Sequence, residues 1–220
     1  MIDRALPAPA AALLVSYFDA VRARNAGADL RYYPGSPLVA RHLFRPQDRL
    51  SAIELHPDEA HRLKELFAGD FQTRIIELDG WLALGAHLPP KEKRGIVLVD
   101  PPFEKEGEFG RLVDGLAKAH RRWPTGVYAL WYPIKDLRAV RGFREALSGA
   151  GVPKILDIWQ TVRAAGVEPA LIGSGMIVVN PNFELEADMA LLLPVLTEAL
   201  AQDRQASFGI NWLAGEARPA

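Results

Sequence analysis

Four consecutive apolar residues at positions 96–99 are followed at once by Asp100-Pro101-Pro102-Phe103. An apolar run without alternation is typical of a strand that is buried on both faces in a parallel sheet. Two prolines remove two backbone donors and restrict φ, so the chain must leave the sheet there in a stiff, extended loop. In open α/β sheets, ligands bind beyond the carboxyl ends of the strands. The run therefore predicts an α/β fold that displays Asp100 and Phe103 at its binding edge.

These four residues suit chemistry at the amino group of a nucleobase. Such an amino group is a poor nucleophile because its lone pair is delocalised into the ring. The Asp100 carboxylate and the Pro101 carbonyl would accept its two N–H groups and localise the lone pair toward an electrophilic methyl group. Phe103 would stack on the base, a contact worth about 1–3 kcal/mol. The alternative interpretation is a strand and a proline-rich turn, with Phe103 packed in the core.

Length and composition limit the class of protein. The 220 residues suffice for one α/β domain with a small subdomain. No apolar run is long enough to span a membrane, and no charged-then-apolar signal opens the chain, so no membrane partner is expected. The absence of cysteine excludes disulfides and thiolate metal sites and agrees with a reducing cytoplasm. A net charge of -1 gives no global indication of nucleic-acid binding.

Positive charge is concentrated in one segment. Residues 111–163 carry ten Lys and Arg residues against four Asp and Glu residues. Arg138, Arg141 and Arg144 recur every third residue in a predicted helix, which would line them along one side, where they suit phosphate groups. A solvated helix face without a ligand is the alternative.

Two further acids lie at predicted strand ends. The segment 50–55 reads as a strand that ends at Glu54, and acids at such a position bind ribose hydroxyls in Rossmann-type sheets. The segment 74–78 reads as a strand followed by Asp79 and Gly80, a pair that would let backbone and carboxylate approach a flat, adenine-like ring. A simple turn at Asp79 is the competing interpretation.

Two weaker signals come from single residues. Ser36 precedes Pro37 and reads as an ordinary helix N-cap, although its hydroxyl could also meet a ligand. His56 and His61 lie near Glu54, but no helix phase joins all three, so no metal site is predicted.

The remaining periodic segments complete an alternating α/β pattern. Lys135 follows a buried strand at 126–132 and could form the rim of a base pocket. A terminal edge strand is expected at 208–213. Further helices are predicted at 8–24, 38–44, from a cap near Asp58, 107–122, 136–149 and 187–201, and further strands at 154–159 and 175–180.

Longer strings in the sequence resemble one family. They are LRYYPGSPL (30–38), ELHP (54–57), DGW (79–81), RGIVLVDPPF (94–103), GVYALWYP (126–133) and SGMIVVNP (174–181). Together they resemble the RlmJ family of bacterial 23S ribosomal RNA (adenine-N6)-methyltransferases, class I enzymes that use S-adenosylmethionine (SAM). The resemblance runs from about residue 8 to the end of the chain.

The resemblance implies roles for individual residues. Asp100 would be the catalytic carboxylate and would border the cofactor, and Pro101, Pro102 and Phe103 would hold the substrate base. Phe103 stands where the family commonly has tyrosine, which preserves stacking and loses a hydroxyl. The residues implied to contact SAM are Ser36, Glu54, Asp79, Gly80 and Asp100. The residues implied to face RNA are Tyr32, Tyr33, Lys135, Arg138, Arg141 and Arg144.

The resemblance also implies an architecture, from which this chain departs at one point. The expected fold is α/β, a Rossmann-like class I methyltransferase sheet that is mostly parallel with antiparallel last strands. Residues 1–49 would form a helical insertion and residues 50–220 the catalytic domain. The family's first strand and its glycine-rich SAM loop have no counterpart in this sequence, so we expect an incomplete sheet.

The expected function is methyl transfer from SAM to the N6 of an adenine in 23S ribosomal RNA, in a cytoplasmic monomer. Two alternatives stay open. The chain could be a catalytically impaired RNA-binding remnant of the family, or it could methylate amino groups of DNA, because the Asp100 loop recognises the amino group and not the sugar.

Overall fold

The computed structural model describes residues 6–25, 29–166 and 170–216. The helices are α1 (Ala8–Arg22), α2 (Ser36–His42), α3 (Pro57–Leu66), α4 (Gly80–Ala86), α5 (Glu108–Arg122), α6 (Leu137–Ser148) and α7 (Leu185–Leu200). The strands are β1 (Leu50–Glu54), β2 (Thr73–Glu77), β3 (Ile96–Val99), β4 (Val127–Ile134), β5 (Ile155–Thr161), β6 (Gly173–Val179) and β7 (Ser207–Ala214). Helices and strands alternate along most of the chain, as the hydrophobic periodicity predicts.

The described strands form two separate sheets. β1 and β2 make a two-stranded sheet, and the other five strands are ordered β3-β4-β6-β5-β7. The chain divides accordingly into two compact units, Met1–Ala83 and Leu84–Ala220. The expectation that the family's first strand has no counterpart here stays a prediction.

The first unit contains a parallel strand pair flanked by short helices. β1 and β2 run in register from Leu50 opposite Thr73 to Glu54 opposite Glu77. Parallel strands need a crossover connection, and α3 supplies it. Because the two strands are parallel and in register, their carboxyl ends lie at the same edge of this sheet.

The second unit combines one parallel pair with three antiparallel pairs. β3 pairs with β4 in parallel, and β6 is antiparallel to both β4 and β5. β7 pairs with β5 at the edge of the sheet, as predicted for residues 208–213. The α/β class and the antiparallel pairing of the last strands are confirmed.

The largest fully buried side chains of this unit come from its central strands and from two helices. Tyr128, Leu130 and Tyr132 alternate along β4 and are buried, while the residues between them are only half-buried. Period-two alternation of this kind fixes which face of a strand packs inward. Helices α5 and α6 present apolar stripes at helical spacing, and these stripes are Leu112, Leu116 and Ala119 on α5 and Val140, Phe143 and Leu147 on α6.

The predicted burial of β3 on both faces is wrong. Ile96 is 72% exposed and Leu98 is 49% exposed. Among the described strands β3 pairs only with β4, so it lies at the end of its sheet. The apolar run correctly predicts a strand, but burial requires neighbours that the described part of the chain does not provide.

Two predicted helix starts and one suggested turn are also corrected. The N-cap of α2 is Gly35, and Ser36 is the first helical residue and makes no capping hydrogen bond. The N-cap of α3 is His56 instead of Asp58, because Pro57 fits the first helical position. After Asp79, where a simple turn was the competing interpretation, the chain instead enters helix α4 at Gly80.

The domain boundary at residues 49 and 50 stays a prediction, and the first five and last four residues of the predicted domains lie outside the described residues. Within the described ranges, no helix combines the length and apolar character that crossing a membrane requires.

Candidate active site

The first unit brings Glu54 to the edge where its parallel strands end. Glu54 is the last residue of β1, and its Oε1 accepts a hydrogen bond from the backbone N of His56 at 2.8 Å. This bond fixes the carboxylate against the turn that enters α3. Within the described residues Oε2 of Glu54 accepts no hydrogen bond, so it is available to a hydroxyl donor.

Asp79 and Gly80 follow β2 at the same edge. Asp79 Oδ1 accepts a hydrogen bond from the backbone N of Trp81 at 2.8 Å, which satisfies a donor in the first turn of α4. A Cβ atom built on Gly80 would meet nothing within 4 Å, so the backbone there is open to the approach of a flat group. Ser36 is exposed at the start of α2.

Tyr32 and Tyr33 are exposed, by 68% and 69% respectively. Asn25 holds their segment, because its Oδ1 accepts from the backbone N of Tyr32 at 2.9 Å and its Nδ2 donates to the Tyr32 carbonyl at 2.7 Å. The hydroxyl of Tyr33 is hydrogen-bonded to that of Tyr17. Burial, followed by this hydrogen bond, raises the pKa of Tyr17 to about 12. Sequence reasoning did not identify Asn25 as the residue that positions the two tyrosines.

In the second unit, Asp100 directly follows β3. The residue is exposed, and within the described residues its carboxylate accepts no hydrogen bond. Partial burial among its neighbours still raises the pKa of Asp100 above its ordinary value, because desolvation disfavours the charged form. Pro101 is buried and Pro102 is exposed. The site therefore holds a carboxylate whose basicity is increased and whose oxygens are free.

Phe103 has an unusual backbone conformation. Its φ is 53°, in the left-handed region that bulky residues rarely adopt. Its ring packs edge-on against Phe109, with the centroids 5.1 Å apart, and against Trp131 at 5.8 Å. Edge-to-face contacts of this kind are favourable for aromatic rings. The side chain is half-buried. It therefore packs against two aromatic neighbours, as the core interpretation expects, and it keeps some exposed surface on which a base could stack.

Arg144 differs from the other two arginines of α6. Its Nε lies 2.7 Å from Oδ2 of Asp157, whose side chain is completely buried, and its Nη2 donates to the Tyr132 hydroxyl at 3.0 Å. The Tyr132 hydroxyl in turn donates to Asp157 Oδ1 at 2.7 Å. Burial raises the pKa of both Asp157 and Tyr132. Arg144 therefore compensates a buried charge, whereas Arg138 and Arg141 are exposed.

A cavity of about 180 Å³ joins Phe103 to Lys135. It lies among the loop after β3, the start of α5 and the segment between β4 and α6. Phe109 and Glu108 also line it, and sequence reasoning did not select either of them. The i, i+3 spacing of Glu108 and Arg111 was the available signal, because it predicts an ion pair on a helix.

No group of three or more potential metal ligands occurs among the residues that the structure describes. In the first unit, the carboxylates of Glu54 and Asp79 lie at or just after strand ends and can accept hydrogen bonds from a polar nucleoside. In the second unit, Asp100 directly follows β3 and can accept a proton from an amino group, and the exposed cations of α6 belong to this same unit.

Comparison with known proteins gives a consistent result. The family model described as ribosomal RNA large subunit methyltransferase D, RlmJ, matches residues 4–214. A protein from Escherichia coli (strain K12) named ribosomal RNA large subunit methyltransferase J is 38% identical over 203 residues, which cover 92% of this chain and 72% of that protein. The protein of the same name from Haemophilus influenzae is 37% identical over 190 residues, covering 86% of this chain and 68% of that protein.

The fold also matches a solved structure. The crystal structure of protein LPL1258 from Legionella pneumophila superposes with a TM-score of 0.86 at 29% sequence identity. The match covers 94% of this chain and 75% of that one.

Proposed function

This chain belongs to the RlmJ family of ribosomal RNA large subunit methyltransferases, and on that premise we propose that it methylates the N6 amino group of an adenine in 23S ribosomal RNA. The methyl donor is SAM, in keeping with the methyltransferase family. The observation that carries the proposal is the Asp100 carboxylate, which directly follows β3, precedes Phe103 by three positions and accepts no hydrogen bond from the described residues.

The residues of the first unit fit the polar parts of the cofactor. SAM, when bound, supplies an electrophilic methyl group on a sulfonium. Glu54 would accept the ribose hydroxyls through Oε2, since its Oε1 is held by His56. Asp79 and the open backbone of Gly80 would border the adenine ring, and Ser36 would offer a further hydroxyl.

Asp100 would act on the substrate amino group in two ways. Its carboxylate accepts a hydrogen bond from one N–H, and the Pro101 carbonyl accepts the other, so the nitrogen lone pair is directed away from the ring. As the nitrogen gains a methyl group, it must lose a proton. Asp100 accepts that proton, and its raised pKa makes it a better base than an ordinary aspartate.

The remaining residues would hold the RNA. Phe103 stacks on the target base, which must leave its own stack to reach the site, at a cost of a few kcal/mol. Lys135, Arg138 and Arg141 are exposed and would contact phosphates. Tyr32 and Tyr33 offer exposed rings for further bases. A monomeric state and a cytoplasmic location stay predictions.

The test is transfer of a labelled methyl group from SAM to a 23S ribosomal RNA transcript that lacks modifications. We expect the wild-type chain to label adenine at N6. Asp100→Ala should lower the rate by about 10²–10⁴-fold, the usual contribution of a proton acceptor. Glu104→Ala is the matched control, because it removes an exposed carboxylate from the same loop and should leave the rate unchanged.

Three outcomes would change the proposal. Wild-type rates in Asp100→Ala would refute the role of this carboxylate. Calorimetry without any heat of SAM binding, together with retained RNA binding, would indicate a non-catalytic RNA-binding protein. Preferential labelling of a DNA oligonucleotide of the same sequence would assign the activity to DNA.

A further inference from the structure

Glu108 is a buried acid with one unused oxygen. It is the first residue of α5 and is only 5% exposed, although it carries a carboxylate. Its Oε1 accepts a hydrogen bond from Arg111 at 2.8 Å. Its Oε2 is also buried, and within the described residues it has no hydrogen-bond partner. Since nearly all buried polar atoms in proteins are hydrogen-bonded, we expect this oxygen to bind a donor that the described residues do not supply.

The carboxylate lines the 180 Å³ cavity described above. Gly107, the N-cap of α5, has a φ of 81°, and this left-handed turn brings Glu108 into the first turn of the helix. An anion in that position is stabilised by the helix dipole. The helix start and Arg111 therefore stabilise a negative charge there while Oε2 stays without a donor.

The other walls of the cavity suit a nucleotide. Phe103 and Phe109 contribute aromatic rings, which are surfaces for a flat base. Lys105 and Lys135 also line the cavity and are exposed residues, so their charges can reach a phosphate. The remaining lining carboxylate, Asp136, accepts a hydrogen bond from the backbone N of Arg138 at 2.7 Å and caps α6.

The cavity does not include three of the residues that we propose to hold the methylated base. Asp100, Pro101 and Pro102, which would hold the target amino group, do not line it. Phe103 is shared, because it directly follows Pro102 in the chain and its ring packs against Phe109, which also lines the cavity. A ligand of the cavity would therefore be a neighbour of the target base along the strand.

We propose that this cavity binds a second nucleobase of the RNA, adjacent to the methylated adenine, and that Glu108 Oε2 accepts a hydrogen bond from the exocyclic amino group of that base. The inference depends on the proposed function, because it assumes an RNA strand at the Asp100 loop. Glu108 then contributes to sequence specificity. A carboxylate selects for an amino group at the cavity and against a carbonyl oxygen, since it can accept but not donate.

The test compares two RNA oligonucleotides that differ by one amino group. In one oligonucleotide, adenosine stands next to the target adenine, and in the other, purine riboside replaces that adenosine. One such pair is made for the 5′ neighbour of the target and one for the 3′ neighbour. At one of these two positions, the wild-type kcat/KM should fall by about 10- to 150-fold on loss of the amino group, the usual effect of a hydrogen bond to a charged group. The ratio between the two substrates is measured with one protein preparation, so a partly unfolded variant does not distort it.

Substitutions at Glu108 should lower the ratio of kcat/KM between the two oligonucleotides toward one. Glu108→Gln keeps a neutral acceptor and should give an intermediate ratio, and Glu108→Ala should bring the ratio close to one. Glu106→Ala is the control, because Glu106 is exposed and does not line the cavity, and it should keep the wild-type ratio. Equal rates for both oligonucleotides at both positions, or an unchanged ratio in Glu108→Ala, would overturn the inference.

A binding measurement separates this inference from the proposed function. Fluorescence anisotropy with the same two oligonucleotides requires no methyl transfer, so it reports on the cavity even if the chain is inactive. Discrimination in binding without methylation would support the cavity and refute the proposed activity. Methylation without discrimination in either assay would support the proposed activity and overturn the inference about the cavity.

Discussion

At the scale of single residues, the environment of Asp100 has two opposite effects: it lowers the stability of the ionised carboxylate and it increases the basicity of that carboxylate. Desolvation raises its pKa, and within the described residues no hydrogen bond or ion pair compensates the charged form. The ionised carboxylate is therefore less favourable in the folded chain than in the unfolded chain. The same property makes it a better proton acceptor.

The pH dependence of methyl transfer should reflect this shift. Asp100 must be ionised to accept a proton, so the rate should fall as pH decreases through the pKa of Asp100. Because that pKa is raised above 3.8, the decrease should begin at a higher pH than for an ordinary aspartate. Single-turnover rates over an acidic pH series would measure it. A rate that stays constant down to pH 4 would contradict a role for Asp100 as the base.

The stability of the fold should respond to the charge of Asp100 in the opposite direction. Methyl transfer requires the ionised carboxylate, whereas the protonated form favours the folded state. A carboxyl group with a raised pKa in the folded state binds its proton more tightly there, so its contribution to stability decreases as pH rises from the unfolded to the folded pKa. At neutral pH, Asp100→Asn removes the unfavourable charge. We expect its Tm to equal or exceed that of the wild type while methylation is lost, as thermal melts and the transfer assay would measure. A clearly lower Tm would mean that the carboxylate makes a stabilising contact.

At the scale of elements, helix α6 has two functions on two sides. Its buried side carries Arg144, which pairs with Asp157 and packs 5.3 Å above the Trp159 ring. Its exposed side carries Arg138 and Arg141. Three arginines with the same spacing in sequence are thus divided between a structural role and a proposed contact with RNA.

Alanine substitutions in α6 should separate these roles. Arg144→Ala leaves the Asp157 charge buried and uncompensated, which should cost about 3–5 kcal/mol of unfolding free energy. The double change Arg138→Ala and Arg141→Ala should alter stability by only about 0.5 kcal/mol per site. It should instead weaken RNA binding. The slope of log K against log salt concentration should become shallower by about 0.7–0.9 per lost phosphate contact. Urea denaturation and anisotropy at several salt concentrations would measure both effects.

The reverse pattern would contradict this assignment. If Arg144→Ala kept full stability and lost RNA affinity, Arg144 would contact RNA, the role proposed for Arg138 and Arg141. Tyr132→Phe provides a further control, since it keeps the buried ring and removes only the hydroxyl that bonds Asp157 and Arg144.

The sequence predicts well those elements whose pattern is local. Helices α5 and α6 and strand β4 lie within two residues of their expected bounds, because their apolar spacing is unambiguous over several turns or residues. Helix α4 was missed because an acid and a glycine begin both turns and helices. The local hydrogen bond from Trp81 to Asp79 decides between them, and composition does not reveal it.

Properties that depend on distant partners could not be read from the sequence. The apolar run of β3 predicts a strand but not its exposure, which depends on the neighbours of that strand in the sheet. The spacing of Arg144 resembles that of Arg138, yet Asp157, thirteen residues away, determines its role. The cavity beside the buried Glu108 could not be predicted either, because Pro133 and Lys135, which also line it, belong to another part of the chain.

At the scale of the whole molecule, the two units differ in how much structure supports each strand. β4 and β6 are hydrogen-bonded to strands on both sides, whereas β1 and β2 have only each other within the described residues. Two-stranded sheets are marginally stable unless other elements pack on them. Local opening should therefore require less free energy in the first unit than in the second.

Hydrogen exchange should report this difference. We expect the amides of β1 and β2 to exchange faster than those of β4 and β6 under native conditions, as measured by mass spectrometry of peptides from each strand. Exchange of all four strands at one common rate would indicate instead that the chain opens as a single cooperative unit. Addition of SAM should slow exchange in β1 and β2 if Glu54, Asp79 and Gly80 bind it.

The left-handed conformation of Phe103 has a consequence for protein engineering. A bulky residue in that region costs of order 1–3 kcal/mol, which glycine would largely avoid. The contacts of the ring with Phe109 and Trp131 offset that cost, so directed evolution that selects only for heat tolerance should accept glycine as well as phenylalanine at position 103. Selection for methylation should keep only phenylalanine or tyrosine there, so the second kind of selection would restrict this position more than the first.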